Sequence, residues 1–424
     1  MRINLAFVPI ASLVFCLLLA SWANALTIHS TAGNPNSSFG NAVAIDGGRV
    51  LVGEPGDGNG VGVAHLFDSA SGALIQTFRH PPAALTGNDH FGSSVSIDGD
   101  LVLIGAAGIG VPGDAHLFNA TSGALLHTFS SPNPSTVDVF GASVALRNGK
   151  AVIGSAVRAN FAGGAGRAYL FDAFSGQLLN TLANPAAPPA FPSIFAQDFF
   201  GGAVAMDDDF IVVGAPGDDS AGSDTGRAFV FDAAGNYLNA IDAPGLNSTS
   251  FFGVSVAVDA GKALVGASNF EGANESNGAY LFDLESGAHV RTFTNPDPAG
   301  NTFEEFGYVV AMQGDFALIG APRKKADGTE AAGTAYLFNT ANGLLINSFT
   351  DPDPAYYEMF GNAVAIDDGV IAVGVPNERS PGSNGGDVHL FSVPEPAGWV
   401  FGVQSMLSVL LVWRRFEHSF SELR

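Results

Sequence analysis

Basic residues, cysteine and helical periodicity are scarce in this chain. Its 424 residues include 17 Lys and Arg against 40 Asp and Glu, a formal net charge of −23, yet only 13% are charged. The acidity therefore comes from a shortage of cations rather than from acidic tracts. Such a balance argues against nucleic acid as a partner, because its phosphates would be repelled. It fits calcium, a cationic surface or a neutral polysaccharide. The one cysteine, Cys16, lies in an apolar stretch near the start, so disulfides cannot hold the rest of the chain together. No segment between repeats keeps a helical spacing of apolar residues. Catalytic signatures are missing too: there is no G-x-S-x-G elbow, Cys–His pair or H-E-x-x-H. The chain reads as a non-enzyme.

What is present is repetition. Phe39-Gly40, Phe91-Gly92, Phe140-Gly141, Phe200-Gly201, Phe252-Gly253, Phe306-Gly307 and Phe360-Gly361 open seven copies, separated by 52, 49, 60, 52, 54 and 54 residues. Self-similarity at this period fixes architecture before any local assignment. In the fifth copy four short apolar runs stand out, Val254–Val258, Ala263–Gly266, Ala279–Phe282 and His289–Phe293. Each has strand length and is bounded by Gly, Asp, Asn or Pro. Pairs such as Asp46-Gly47, Asp98-Gly99 and Asn148-Gly149 predict tight hairpins between the first two runs, since positive φ is easy for Gly and mild for Asn or Asp. Proline-bearing links such as Asn295-Pro-Asp-Pro298 separate the units, because proline cannot extend a sheet.

These features predict an all-β fold: a seven-bladed β-propeller over residues 26–392, with four-stranded antiparallel blades. The seventh copy stops after its third strand, Val388–Phe391, while Leu26–Ser30 precedes the first Phe-Gly as a fourth strand would. The N-terminal strand is therefore expected to complete the last blade and cover two free edges.

The two ends carry targeting signals. Met1–Ala25 reads as a secretory signal peptide, with Arg2, an apolar stretch over Leu5–Ala20 and Ala23-Asn24-Ala25 as the cleavage site. At the other end, Val393-Pro394-Glu395-Pro396 precedes an apolar run over 397–413, then Arg414-Arg415 and a tail over 416–424. The run is read as a short membrane helix whose arginines stay cytoplasmic.

Pro394, Glu395 and Pro396, the apolar run, and Arg414 and Arg415 together resemble the PEP-CTERM sorting signal of Gram-negative bacteria over about residues 393–415. That resemblance implies an exosortase-type sorting enzyme as a partner. It also implies inner-membrane anchoring before processing, then the cell surface or an exopolysaccharide matrix. The repeats, with Gly214-Ala215-Pro216 and Gly320-Ala321-Pro322 beside the Phe-Gly pairs, resemble FG-GAP units of integrin α-chain propellers over residues 39–391. This implies the fold and binding or adhesion, to an extracellular polysaccharide or a surface protein. The family's calcium loop between the first two strands is here only a two-residue turn, so its metal sites do not transfer.

Candidate sites fall on the face that holds the loops between second and third strands and the links between blades. An acid stands two residues before the Phe in five copies: Asp89, Asp138, Asp198, Glu304 and Glu358, with Ser37 and Ser250 in the other two. Two readings stay open for it: a partial ring of carboxylates near the central channel that holds a cation or sugar hydroxyls, or acids that each accept a backbone hydrogen bond in their own link. Asp218, Asp219 and Asp224, on one flexible loop, are the local calcium candidates. His65, His116 and His389 share a strand position with Tyr169, Phe229, Tyr280 and Tyr336, and read as packing residues. Two alternatives to a binding protein are a structural surface or matrix protein without a specific ligand, and a quinoprotein-like or polysaccharide-acting enzyme. The second rests on segments such as Tyr169–Asp172, which loosely resemble quinoprotein repeats without their Trp.

Overall fold

The computed structural model describes residues 25–30, 36–81, 88–134, 138–157, 166–185, 198–245, 249–268, 278–298, 304–326, 328–329, 331–377 and 385–393. The chain divides into two compact units, Met1–Phe391 and Ser392–Arg424. The first is the propeller. Of the second, only Ser392 and Val393 are among the described residues. The expected signal peptide (apart from Ala25), the sorting signal from Pro394 to Arg415, the helix over 397–413 and the tail lie outside them. Among the described residues no helix is long and apolar enough to cross a membrane.

Seven four-stranded antiparallel sheets follow one another. Blades one to six span 42–79, 91–130, 138–182, 203–242, 255–293 and 309–349. Blade seven takes its first three strands from Ala363–Asp367, Val370–Val375 and Asp387–Ser392, and its fourth from Leu26–His29. The seam pairs Leu26 with Leu390 and His29 with Asp387, and His29 Nδ1 lies 2.9 Å from an Asp387 carboxylate oxygen. The N-terminal strand closes the ring as expected. Between the second and third strands of blade one, Asp57–Gly60 forms a tight coil with Gly58 and Asn59 in the left-handed region.

Burial explains the blade's pattern. Second strands such as Arg49–Glu54 and Phe316–Ala321 are buried at every position but the first, because both faces meet a neighbouring blade and their sequences are continuously apolar. The core accordingly lies between blades. Phe252 packs with Val212, Val230 and Ile241 of blade four and with Val265 and Phe282 of blade five. All seven Phe-Gly phenylalanines are essentially inaccessible, each stabilising its interface by roughly 1.5–3 kcal/mol of apolar transfer. The outer strand carries a bulge at one place in blades one to six, as between Leu66 and Phe67 or Leu281 and Phe282. That irregularity blunts the outer edges.

The Phe-Gly and Gly-Ala-Pro glycines meet each other around the ring. A Cβ on Gly53 would sit 2.0 Å from the carbonyl oxygen of Gly92 in the next blade. Gly105 with Gly141, Gly154 with Gly201, Gly214 with Gly253, Gly266 with Gly307, Gly320 with Gly361 and, across the seam, Gly374 with Gly40 repeat this at 2.0–2.2 Å. The second-strand glycine admits backbone against backbone, and the Phe-Gly glycine does so while also supplying the positive φ, 83–92°, that its turn requires.

The hairpins between first and second strands differ by one residue from the sequence reading in some blades. Asp46 pairs with Arg49, so the central residues are Gly47-Gly48 rather than Asp46-Gly47. Asp98 pairs with Leu101, and Gly99-Asp100 is central. The freed aspartate spans blades instead: Asp46 accepts the Gly99 N–H at 3.0 Å and Asp98 the Asn148 N–H at 2.7 Å. Asp207, Asp259 and Asp367 do the same for Gly261, Gly314 and Gly47.

Candidate functional site

The central channel is lined by the first strands. Two cavities of about 440 and 280 Å³ run along it, walled by uncharged residues such as Asn41, Ser94, Ser143, Ser255, Val310 and Asn362. Of the acids two residues before the Phe, Asp89, Asp198, Glu304 and Glu358 line neither cavity. Asp89, Asp198, Glu304 and Glu358 are 0–8% exposed, as are Ser37 and Ser250. They lie inside the junctions between blades. The side chain of Asp138 is outside the described residues.

A local backbone feature accompanies this placement. The residue before the Phe has positive φ in six copies: Ser38, His90, Phe199, Phe251, Glu305 and Met359. Its carbonyl accepts the N–H three residues on, as from Asn41 to Ser38 and from Tyr308 to Glu305. Left-handed backbone on non-glycine residues costs energy; here it accompanies burial of the preceding polar side chain.

The junctions share a geometry but not a chemistry. Before blade one, the buried Glu54 accepts from Ser30 Oγ at 2.6 Å and faces His65 Nε2 at 3.1 Å. Burial alone would raise its pKa, but hydrogen bonds from His65, Ser30 and Ser37 lower it below the usual value. Before blade four, Asn184 Nδ2 donates to Asp198 at 2.8 Å and to Asp218 at 3.0 Å. Burial and the charges of Asp218 and Asp219 push Asp198 up to about 6, with Asn184 opposing. Before blade six, Glu304 pairs with the buried Lys324 at 3.1 Å and accepts from Asn295. Before blade seven, His389 Nε2 lies 3.3 Å from Asp351, and Glu358 accepts the Ala355 N–H within its own link. Glu358 thus follows the simple backbone-acceptor reading.

The calcium candidates are split. Asp218 is buried and shares Asn184 with Asp198, while Oδ1 accepts the Ser220 N–H at 2.9 Å. Asp219 is exposed and accepts the Asp224 N–H at 2.8 Å. The three carboxylates do not converge on one point. Among the described residues, one trio of His, Cys or carboxylate groups brings its ligand atoms within 4.8 Å of one another: His80, Asp114 and His116.

That trio was missed in the sequence because His116 shares its strand position with tyrosines. Burial of His65, His116 and His389 is as expected for packing residues, yet each ring nitrogen has chemistry. Their Nδ1 atoms meet Thr77, Thr128 and Thr27 of the fourth strand at 3.0–3.1 Å. Where blade four has Phe229 instead, the cross-strand partner is Ala240. A Thr also faces Tyr169 and Tyr280, as Thr181 and Thr292, so the cross-strand threonine marked a polar ring atom at this position and not histidine in particular. Asp and Glu near the Nε2 atoms come from different elements in each blade, so no spacing betrayed them.

The family model for the FG-GAP repeat matches residues 85–122, 195–231, 292–338 and 345–391. Three of these matches end with the third strand of blade two, four or six, and the last ends in the third strand of blade seven. Blades one, three and five reproduce the same sheet without a match. The chain therefore carries FG-GAP repeats within a seven-bladed propeller. No curated protein sequence matches it.

Proposed function

We propose that this propeller is a non-enzymatic binding protein, exported by bacteria and anchored at their surface, which takes its ligand on the link face. The observation that carries the reading is the asymmetry of a closed, rigid ring. One face repeats a short two-residue turn and an aspartate clamp, whereas the other presents loops of differing length and junctions of differing charge. Binding chemistry tends to be placed on variable loops held by a fixed scaffold. The FG-GAP repeats agree with a surface or binding role.

The ligand class we favour is an extracellular polysaccharide of the producing cell's matrix, with a surface protein as the other candidate. The chain's deficit of cations fits a neutral polymer. Asp219 is exposed beside the buried Asp218 and Asp198, and calcium is the candidate cofactor there. On this reading Pro394–Arg415 engages an exosortase-type enzyme at the inner membrane before release to the surface, and Ala25 ends the signal peptide.

Capture of the host's own exopolysaccharide by residues 26–392 tests the proposal, with and without a calcium-selective chelator. Retention of the polymer on the propeller supports the binding role, and its loss on chelation brings calcium into the site. No capture in either condition, together with concentration-dependent self-association in sedimentation, would replace this reading with that of a structural matrix component.

A further inference from the structure

His80 directly follows the outer strand of blade one, Leu74–Arg79, and Asp114 and His116 lie in the third strand of blade two. Residues two apart on a strand share a face, so Asp114 and His116 project together toward the link that carries His80. His80 Nε2 lies 3.4 Å from Asp114 Oδ1, and His116 Nε2 lies 3.0 Å from the same oxygen. The two imidazoles stand edge to face with centroids 4.8 Å apart.

Three features set this trio apart from an ordinary buried ion pair. The first is spacing. A tetrahedral ion with bonds of about 2.0–2.1 Å holds its ligand atoms about 3.3 Å from one another, and the two measured separations bracket that value. The second is orientation. His80 Nδ1 lies 2.9 Å from the Pro81 carbonyl oxygen and His116 Nδ1 3.0 Å from Thr128 Oγ1. Both rings are thereby held through one nitrogen with the other turned inward, the arrangement that fixes metal-ligating histidines. The third is an unmet need. His116 Nε2 is buried without a well-formed hydrogen bond, as is His389 Nε2 beside Asp351, but among the described residues only His116 has a second imidazole within ligand distance. A buried ring nitrogen in that state is destabilising unless something else satisfies it.

We propose that His80, Asp114 and His116 bind a divalent transition-metal ion, zinc foremost, which staples blade one to blade two. Two imidazoles and a carboxylate form a borderline donor set that suits zinc and not calcium, which takes oxygen ligands. The His80 and His116 side chains are 6% and 1% exposed and that of Asp114 is 26% exposed. The ion's fourth position therefore opens on the Asp114 side, to water or a surface ligand.

The same place in the other junctions holds Ser30, Ser131, Asn184, Ala243, Asn295 or Asp351. His65 and His389 each face a carboxylate, but no second imidazole joins either of them in a ligand trio among the described residues. This gives the experiment an internal control.

The full chain, made without a histidine tag and stripped with a strong chelator, is titrated with zinc and separately with cobalt. One equivalent of zinc should be retained after dialysis and should raise the melting temperature, since binding to the native state stabilises it. Cobalt should give the intense visible absorption of a tetrahedral site. His80→Ala should weaken binding by about 100-fold or more and abolish the cobalt spectrum, and Asp114→Asn should do likewise. Thr128→Val, which removes only the orienting hydroxyl, should weaken it by about 10-fold. His389→Ala should leave uptake unchanged. The proposal is overturned if the stripped chain takes up neither metal, or if folded His80→Ala and Asp114→Asn proteins bind as tightly as the parent.

Discussion

On the turn face, Asp46, Asp98, Asp207, Asp259 and Asp367 do one job, each accepting a backbone N–H from the next blade's hairpin. Across the ring, the junctions of the link face hold Glu54 with His65, Asp198 with Asp218, Glu304 with Lys324, and Asp351 with His389. The two faces meet the same requirement, satisfying polar groups where blades touch. A two-residue hairpin has one geometry, so one kind of side chain serves five blades, with Arg147 and Gln313 at that place in blades three and six. Links differ in length, so each junction finds its own partner. Where the backbone is fixed the chemistry repeats, and where it is free the chemistry diverges.

If that contrast is right, link-face substitutions should have large and unlike effects. The greatest is expected at Lys324, buried against Glu304. Lys324→Met strands a buried carboxylate and should lower unfolding stability by about 3–5 kcal/mol in urea titrations. The double variant with Glu304→Gln should recover most of the loss. If the single variant is nearly neutral, the junction is not dry.

Next come two acids of opposite sign. Asp198, raised to about 6, binds a proton more tightly in the native state than in the unfolded one. Its contribution is fully present below the ordinary carboxyl range and disappears as pH rises through about 6. Asp198→Asn should therefore add on the order of 2 kcal/mol at neutral pH and flatten that limb. Glu54 is lowered, so its contribution is present above the ordinary value and is lost as pH falls below it. Glu54→Gln should instead destabilise at neutral pH by about 1–2 kcal/mol and flatten the acid limb. Urea midpoints across pH separate the two; the same sign for both substitutions would remove the distinction between junctions.

The smallest effects belong to the turn face. Asp46→Ala, Asp98→Ala and Asp259→Ala should each cost about 0.5–1.5 kcal/mol, equal within error by thermal melts. Asp207→Ala should cost more, because that carboxylate also accepts the N–H groups of Asp209 and Phe210. Unequal values among the first three would show that the clamp is not one device.

The same division governs what could be read from the sequence. The blades were legible because Phe39 and its six counterparts recur beside a glycine that no larger residue can replace. The seam was legible because blade seven lacked a strand that Leu26–His29 supplies. The junctions were not. Asn184 and Asp218 are 34 residues apart, Glu304 and Lys324 are 20, and each pair is joined only by blade packing. The five acids before the Phe formed a visible pattern, but whether they faced the channel depended on the left-handed residue that follows them. Histidine at the position of Tyr169 could be read as packing, whereas its second nitrogen could be understood only with Asp114 and His80 in place.

The seam also has a mechanical consequence. Leu26 opposes Leu390, so the strand's first residue lies beside the last strand's end, and a pull at residues 26 and 392 loads the same end of the ladder. Antiparallel hydrogen bonds run across the strands, so such a force opens them one at a time from the Leu26–Leu390 pair inward instead of shearing them together. Under tension between its two ends, this ring yields as a zipper, and blade seven is the first to open.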